Sequence, residues 1–415
     1  MESVRAFFAT ELGYVVLLFV LFVVPRFLQR LRLPSAVTSF ALGIVASAGL
    51  GLFAGDPTVH LLATFGIVAL FLFAGLEVDV ALLRDEARVV TQHLALRLVL
   101  LAGGTFAVLY GLGLDVRPSV LVALALLTPS TGFILDSLDR FGLAEEEKRA
   151  VKSKAIATEM LALLILFFTL QSVSASRLAL ATSALVAMIL VLPILFRFFA
   201  QKIAPYAPKS EFAFLLMMAV LAAYATRKLG VYYLVGAFLV GVLARRFRER
   251  LPSMASERML HAVEVFASFF APFYFFSAGA ALRPGDFSLE GVGLGVLFFA
   301  AAVPIGATAV VLHRRRALGE PLARSLRVAV PMVPTLVFTL VLCGILRESF
   351  AVPSYVVGGL IVYTMLNTLV PGFVLGAPPL VFDAPELPAS SESRPDPAAE
   401  RAAPGGESSP RSGAV

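Results

Sequence analysis

The stretch PSVLVALALLTPSTGFILDSL, residues 118–138, is apolar enough to enter a membrane yet carries a helix breaker at its centre. A spanning helix needs about 20 mainly apolar residues, and this run has the length. Within it stand Thr128, Pro129, Ser130, Thr131 and Gly132. Proline lacks an amide hydrogen and its ring clashes with the preceding turn. At membrane depth the freed backbone groups are tolerated only where they are buried in protein or line a cavity. A second apolar run, 326–346, carries the same kind of interruption at Pro331, Pro334 and Thr335, with Thr339 one turn on.

Around these two runs the chain is apolar nearly throughout. Of its 415 residues, 59% are hydrophobic and 15% charged, whereas a soluble domain carries about 25% charged residues. The apolar runs fall at 11–27, 34–54, 60–78, 93–114, 118–138, 152–173, 178–199, 211–227, 230–244, 263–282, 289–313, 326–346 and 353–376, the ninth being short and starting in the Gly230 turn. The expected fold class is therefore an all-α polytopic membrane protein of about thirteen transmembrane helices embedded in a lipid bilayer. The first run is followed by Arg26, Arg30 and Arg32 and lacks a small-residue cleavage site, so it reads as a retained span and not a signal peptide.

The formal net charge of +6 does not point to nucleic acid, because the basic residues lie in short links. The richest links are 26–32, 148–154, 245–258 and 314–327, all on one side if the runs alternate. The positive-inside rule makes that side cytoplasmic. The expectation is a multi-pass protein of the cell (inner) membrane, N-terminus outside and C-terminus cytoplasmic. Residues 1–376 form the transmembrane transport domain. Residues 377–415 are rich in Pro, Ser, Glu, Ala and Gly and read as a disordered cytoplasmic tail, since they lack the apolar side chains to build a core.

The two interrupted runs are seven apart and so cross the membrane in opposite directions. Taken singly, each reads as an ordinary proline kink. As an opposed pair flanked by hydroxyls, they match the broken helices of an inverted-repeat transporter, whose unwound peptide and half-helix ends meet at a central site. The sixth run carries an acid, Glu159, preceded by Thr158. An intramembrane acid is expensive and marks function by default. Withdrawn from water, such a carboxylate holds either a proton or a metal cation, and the two compete. The competing reading ties Glu159 to Lys152 or Lys154, the former seven residues back on the same face. Arg97 is expected to snorkel to the cytoplasmic interface, and Glu77, Asp79 and Glu264 to face solvent. Asp136 and Asp139 form a solvated cap or a cation-attracting funnel. The four histidines, His60, His93, His261 and His313, sit near run ends without clustering, and the single cysteine, Cys343, cannot form an intramolecular disulfide. No phosphate-binding glycine loop, nucleophile elbow or CxxC pair appears, so neither a cofactor nor an enzymatic activity is expected.

Residues 233–244, YLVGAFLVGVLA, resemble the "GAFLAG" helix of the cation:proton antiporter superfamily. Leu33-Pro34 with Gly43, the stretch 72–79 (LFAGLEVD), the interrupted run 127–138 and the stretch 269–279 (FFAPFYFFSAG) resemble further family stretches in the same order. The branch it looks like includes bacterial Na⁺/H⁺ and K⁺/H⁺ exchangers, and the likeness covers roughly residues 12–376. It implies inverted repeats with two crossed discontinuous helices, interleaved dimerisation and core subdomains, a homodimer, and an ion-binding acid on the helix after the first crossed one. That acid is Glu159 here, where the family usually has Asn-Asp, Asp-Asp or Gln-Asp. The resemblance thus implies alternating-access antiport of Na⁺ or K⁺ against protons. Glu159, Thr158, Thr128, Ser130, Thr131 and Thr335 would form the ion- and proton-binding set, and Pro129, Pro331 and Pro334 the helix breaks. With one acid and no basic partner the exchange should be electroneutral. Two departures stand out. The eleventh run lacks the family's Lys or Arg, and Val333-Pro334-Thr335 replaces its Arg-Gly-Glu. These keep two alternatives open: sodium-coupled transport of an organic anion on the same fold, or a non-transporting membrane scaffold or sensor.

Overall fold

The computed structural model describes residues 10–207, 210–229, 233–248 and 257–376, and every regular element among them is a helix. The tail 377–415, the Gly230 turn, positions 249–256 of the basic link and the side chain of Asp136 lie outside the described residues. In chain order the helices are α1 (Glu11–Gln29), α2 (Ser35–Ile44), α3 (Pro57–Leu76), the short α4 (Val80–Asp85), α5 (Ala87–Leu112), α6 (Val116–Leu127), α7 (Thr131–Ser137), α8 (Glu145–Gln171), α9 (Ala175–Phe198), α10 (Glu211–Lys228), α11 (Tyr233–Arg248), α12 (Glu257–Ala280), α13 (Leu289–Leu318), α14 (Leu322–Ala329), α15 (Leu336–Phe350) and α16 (Ser354–Pro371).

Each of the thirteen expected runs coincides with a helix or a broken pair. Among the described residues nine helices are long and apolar enough to cross a membrane, and the bent pair α14–α15 makes a tenth. The remaining three runs correspond to shorter or less apolar helices, Ser35–Gly49, Glu211–Lys228 and Tyr233–Arg248. Several helices begin before their apolar run. α8 starts at Glu145 because three glutamates occupy its first turn, where acids favour the positive end of the helix dipole. Glu147 also reaches back to accept from the Ala144 amide at 2.9 Å. Caps of the same logic start α3, where Asp56 accepts from the Val59 amide at 2.9 Å, and α13, where Ser288 accepts from Gly291 at 3.1 Å.

Packing divides the helices into two sets. In the first, α3 lies against α11 and α12, α2 against α12, and α10 against α11. Small residues bring these backbones together, as in membrane helix pairs generally. A Cβ on Gly43 of α2 would stand 2.0 Å from the Phe276 carbonyl oxygen of α12, and one on Gly279 of α12 would stand 2.1 Å from that of Phe40. In the second set α13 packs on α16, α5 on α6, and α15 on both α6 and α16, with α8 against α5 and α14.

Glu77 and Asp79, expected to face solvent, are partly exposed and each also pairs with a base. Glu77, at the end of α3, lies 3.6 Å from Lys152 of α8, an ion pair between the two sets. Asp79 caps α4 by accepting from the Leu82 amide at 2.9 Å and meets Arg245 at 2.8 Å. Arg245 also donates to the Leu76 carbonyl at 3.0 Å, closing the open end of α3.

Two expectations follow for thermal unfolding of the detergent-solubilised protein. Gly→Ala in an open helical site gains up to about 1 kcal/mol from propensity, whereas forcing a methyl into close-packed backbone loses about 1–3 kcal/mol. Gly279→Ala should therefore lower Tm while Gly103→Ala, with no atom within 4 Å of the new methyl, should not. The second concerns pH. The Leu82 amide, then the Arg245 guanidinium, holds the Asp79 carboxyl below the usual range. A depressed folded value adds stability above the unfolded value, near pH 4, that is lost as pH falls through the folded one. Asp79→Asn keeps a good capping side chain, so its Tm should fall less steeply on acidification below that point.

Candidate ion-binding site

The two interruptions meet. α6 ends at Leu127, and Thr128, the residue before Pro129, takes an extended conformation (φ −92°, ψ 113°), as a residue preceding proline prefers. Ser130 is also extended before α7 begins at Thr131. On the other side α14 runs through a 3₁₀ turn, Val330–Met332, into Pro334 and Thr335, and α15 leaves at 41°. The Ser130 amide donates to the Pro334 carbonyl at 2.8 Å, so one break satisfies a group freed by the other.

The open carbonyls at the end of α6 are each closed by a different helix. Thr339 of α15 donates to Ala125 at 2.7 Å, Tyr363 of α16 to Leu126 at 2.5 Å, and Arg97 of α5 to Leu127 at 3.3 Å. Four carbonyls at a helix C-terminus lack intrahelical partners, and at membrane depth the protein must supply donors for them. Arg97 is thus turned inward and buried, 7% exposed, and does not snorkel to the interface as expected. An uncapped helix end carries partial negative charge, and that draws the guanidinium in.

Glu159 lies on α8 at the other side of the crossing and is 3% exposed. Its carboxylate sits within reach of the amide and hydroxyl of Thr131, the first residue of α7. Yet Glu159 Oε2 and Thr131 Oγ1 both lack a hydrogen-bond partner. Lys152, one competing partner, is engaged by Glu77. A buried acid at the positive end of a half-helix, with an oxygen unmet, is the arrangement a small cation or a proton completes.

The other expected site residues divide. Thr128, Ser130 and Thr131 are all buried at the first break. Thr158 donates to the Lys154 carbonyl at 2.7 Å and lines a small void with Thr128 and Arg97. Thr335 is taken up by α16. Its hydroxyl lies 2.7 Å from Thr339 Oγ1, whose own proton goes to Ala125, accepts from Asn367 Nδ2 at 3.0 Å and lies 3.2 Å from Thr364 Oγ1, while its amide donates to Asn367 Oδ1 at 3.4 Å. Asn367, Thr364 and Tyr363 escaped the sequence reading. The polar residues at 363, 364, 367 and 368 inside an apolar run, spaced i and i+4, were the available signal. His93 and Arg97 share that spacing on α5. The rings of His93 and His313 lie 6.1 Å apart, so two of the four histidines do cluster, contrary to expectation, because α5 and α13 are neighbours in space.

Comparison with known proteins shows the family and the fold. The family model described as sodium/hydrogen exchanger, transmembrane, matches residues 16–381. The chain belongs to the sodium/hydrogen exchanger family. It is 29% identical over 158 residues to a probable Na⁺/H⁺ antiporter of Methanocaldococcus jannaschii, a match covering 37% of this chain and 40% of that protein. It is 25% identical over 238 residues to an ammonium/H⁺ antiporter subunit of Alkalihalophilus pseudofirmus, covering 55% of this chain and 60% of that one. The matched stretches thus span less than two thirds of either relative. A solved structure of the sodium proton antiporter MjNhaP1 from M. jannaschii superposes with a TM-score of 0.65 at 16% identity, covering 88% of this chain and 95% of that one.

This exchanger-family chain is therefore a multi-pass membrane protein with the antiporter fold. The base expected on the eleventh run is absent from its sequence, but Arg97 of α5 reaches the same helix: its Nη1 lies 3.9 Å from where a Cβ on Gly306 of α13 would stand. The capped end of α6 gives a direct test. Tyr363→Phe leaves the Leu126 carbonyl buried without its donor, which costs about 1–3 kcal/mol. Thermal unfolding of the variant should show a destabilisation in that range.

Proposed function

We propose that this protein exchanges a monovalent cation, Na⁺ or K⁺, for protons by alternating access, with Glu159 as the group that both guests occupy in turn. The observation that carries the reading is the Glu159 carboxylate, buried against the N-terminus of α7 with Oε2 unpartnered. Hard cations take oxygen ligands. The Thr128, Ser130 and Thr131 oxygens and the unwound carbonyls supply them around the acid, with Thr158 and Thr335 on the flanks. The exchange is electroneutral, since one acid swaps one positive guest for another while Arg97 is spent on the Leu127 carbonyl. A buried base at the crossing also removes the main ground for reading the chain as a scaffold that has lost its chemistry.

Two cavities support access from opposite faces. One, of about 260 Å³, lies between the helix sets near Arg26, Arg140 and Glu264 and reaches Gly132 and Phe133 of α7. The other, of about 230 Å³, opens near His60 and Arg347 and reaches Leu340 and Val341 of α15. The first helix set is assigned as the dimerisation subdomain of a homodimer and the second as the moving core. The basic links support assigning the first cavity, and with it the C-terminus, to the cytoplasmic side of the inner membrane.

Purified protein in proteoliposomes should show Na⁺- or K⁺-dependent proton movement that Glu159→Gln abolishes, and undiminished exchange in that variant would rule the site out. Binding should also appear as thermal stabilisation, about 2.7 kcal/mol at a hundredfold excess over Kd. Because proton and cation compete, the stabilisation should grow as pH rises and vanish in Glu159→Gln.

A further inference from the structure

We propose that protons reach the crossing along a histidine file, His313 to His93 to Thr158, inside the second helix set and apart from the cavity through which the cation enters. The proposal rests on the exchanger reading above and adds a route that reading does not specify.

His93 is fully buried, and its Nε2 lies 3.2 Å from Thr158 Oγ1. The Thr158 hydroxyl spends its own proton on the Lys154 carbonyl at 2.7 Å. Its oxygen is therefore the acceptor, and His93 carries its hydrogen on Nε2. That leaves Nδ1 a bare acceptor, buried and without a partner. Beyond it stands His313 of α13, half-buried, with both ring nitrogens unpartnered. Ring centroids 6.1 Å apart leave room for one bridging water.

The charged groups facing His93 are Arg97 from its own helix, Lys154 from α8, and His313 and Arg314 from α13. Arg314 is held by Glu320 at 2.6 Å. Packing alone gives no reason for an imidazole here, since an apolar side chain would fill the space without an unmet lone pair. Among so many cations the ring is suited to hand a proton on and not to keep it.

The transfer balances. A proton from the bridging water joins His93 Nδ1 as the Nε2 proton passes to Thr158 Oγ1; the water regains its proton from the ring N–H of His313, which half-buried His313 recovers from solvent. Thr158 then gives up its own proton toward the void it shares with Thr128 and Arg97. At about 20 Å³ this void holds one water and delivers the proton to the break that Glu159 faces. Rotation of the His93 ring then exchanges the roles of its two nitrogens, turning the protonated one toward Thr158 and the bare one toward His313. The cation's route differs: the 260 Å³ cavity is lined by Gly132 and Phe133 but by neither histidine nor Thr158.

The test uses the full chain in proteoliposomes, comparing His93→Asn, His313→Gln and Glu159→Gln with the parent across pH, using Na⁺ or whichever cation the parent exchanges. Asn keeps a donor for Thr158 but cannot relay. His93→Asn should lose about tenfold or more of the exchange rate at high pH, where protons are scarce, and approach the parent at low pH. Its cation-induced thermal stabilisation and apparent cation affinity should be unchanged. A parent-like rate and pH profile would overturn the file. So would an equal loss at every pH together with lost cation affinity, which would mark a structural role. Should His93→Asn fail to fold, half-buried His313→Gln is read the same way: loss confined to high pH supports the file, and no loss overturns it. Exchange persisting in Glu159→Gln would fail the underlying reading. An inactive Glu159→Gln beside a parent-like His93→Asn would fail the file alone.

Discussion

Backbone polar groups in a hydrocarbon layer must find partners within the protein, and the centre of this molecule is arranged around that demand. Breaking two helices at one depth frees amides and carbonyls on both. The Ser130–Pro334 bond joins one break to the other directly, and side chains from α15 and from two further helices, α5 and α16, close the carbonyls of α6. The two breaks are thus interdependent. Neither α6–α7 nor α14–α15 would hold its shape in a bilayer without the other, nor without α5 and α16 to close the ends.

The crossing is asymmetric in charge. The N-terminus of α7 meets a carboxylate, Glu159, while the N-terminus of α15 meets the neutral amide of Asn367, which both accepts from the Thr335 amide and donates to its hydroxyl. Both half-helices present the positive end of their dipole. One is answered by a satisfied polar clamp and the other by an acid with an oxygen unmet. The polar groups of the second break are thereby met within the protein, and at the first an oxygen of Glu159 is not.

Much of this was open to a reader of the sequence, for identifiable reasons. Prolines inside apolar runs and an acid with few competing charges are local signals, so Pro129, Pro334 and Glu159 could be picked out without a fold. The order of the family-like stretches added the crossing of the two runs. Arg97 was misjudged because sequence gives its depth along one helix and not the carbonyl of Leu127 thirty residues away. The partners of Thr335, Thr364 and Asn367, could not be read because they sit on a helix whose register against α15 only the fold supplies. The histidines looked scattered for the same reason, being separated along the chain and joined only by the packing of α5 and α13.

The disposition of the base at the crossing, Arg97, matters as much as that of the acid. A guanidinium paired with Glu159 would form a strong ion pair in this low-dielectric setting, and a cation would have to displace it on every cycle. Arg97 is directed instead to a helix end, where its charge is offset by carbonyl dipoles that no guest disturbs. Glu159, when ionised, has nothing fixed to neutralise it. A buried charge in that condition is unstable. Placing the base at the end of α6 and the acid at the start of α7 therefore leaves the carboxylate without a fixed cation, which is what the exchange proposed for Glu159 requires.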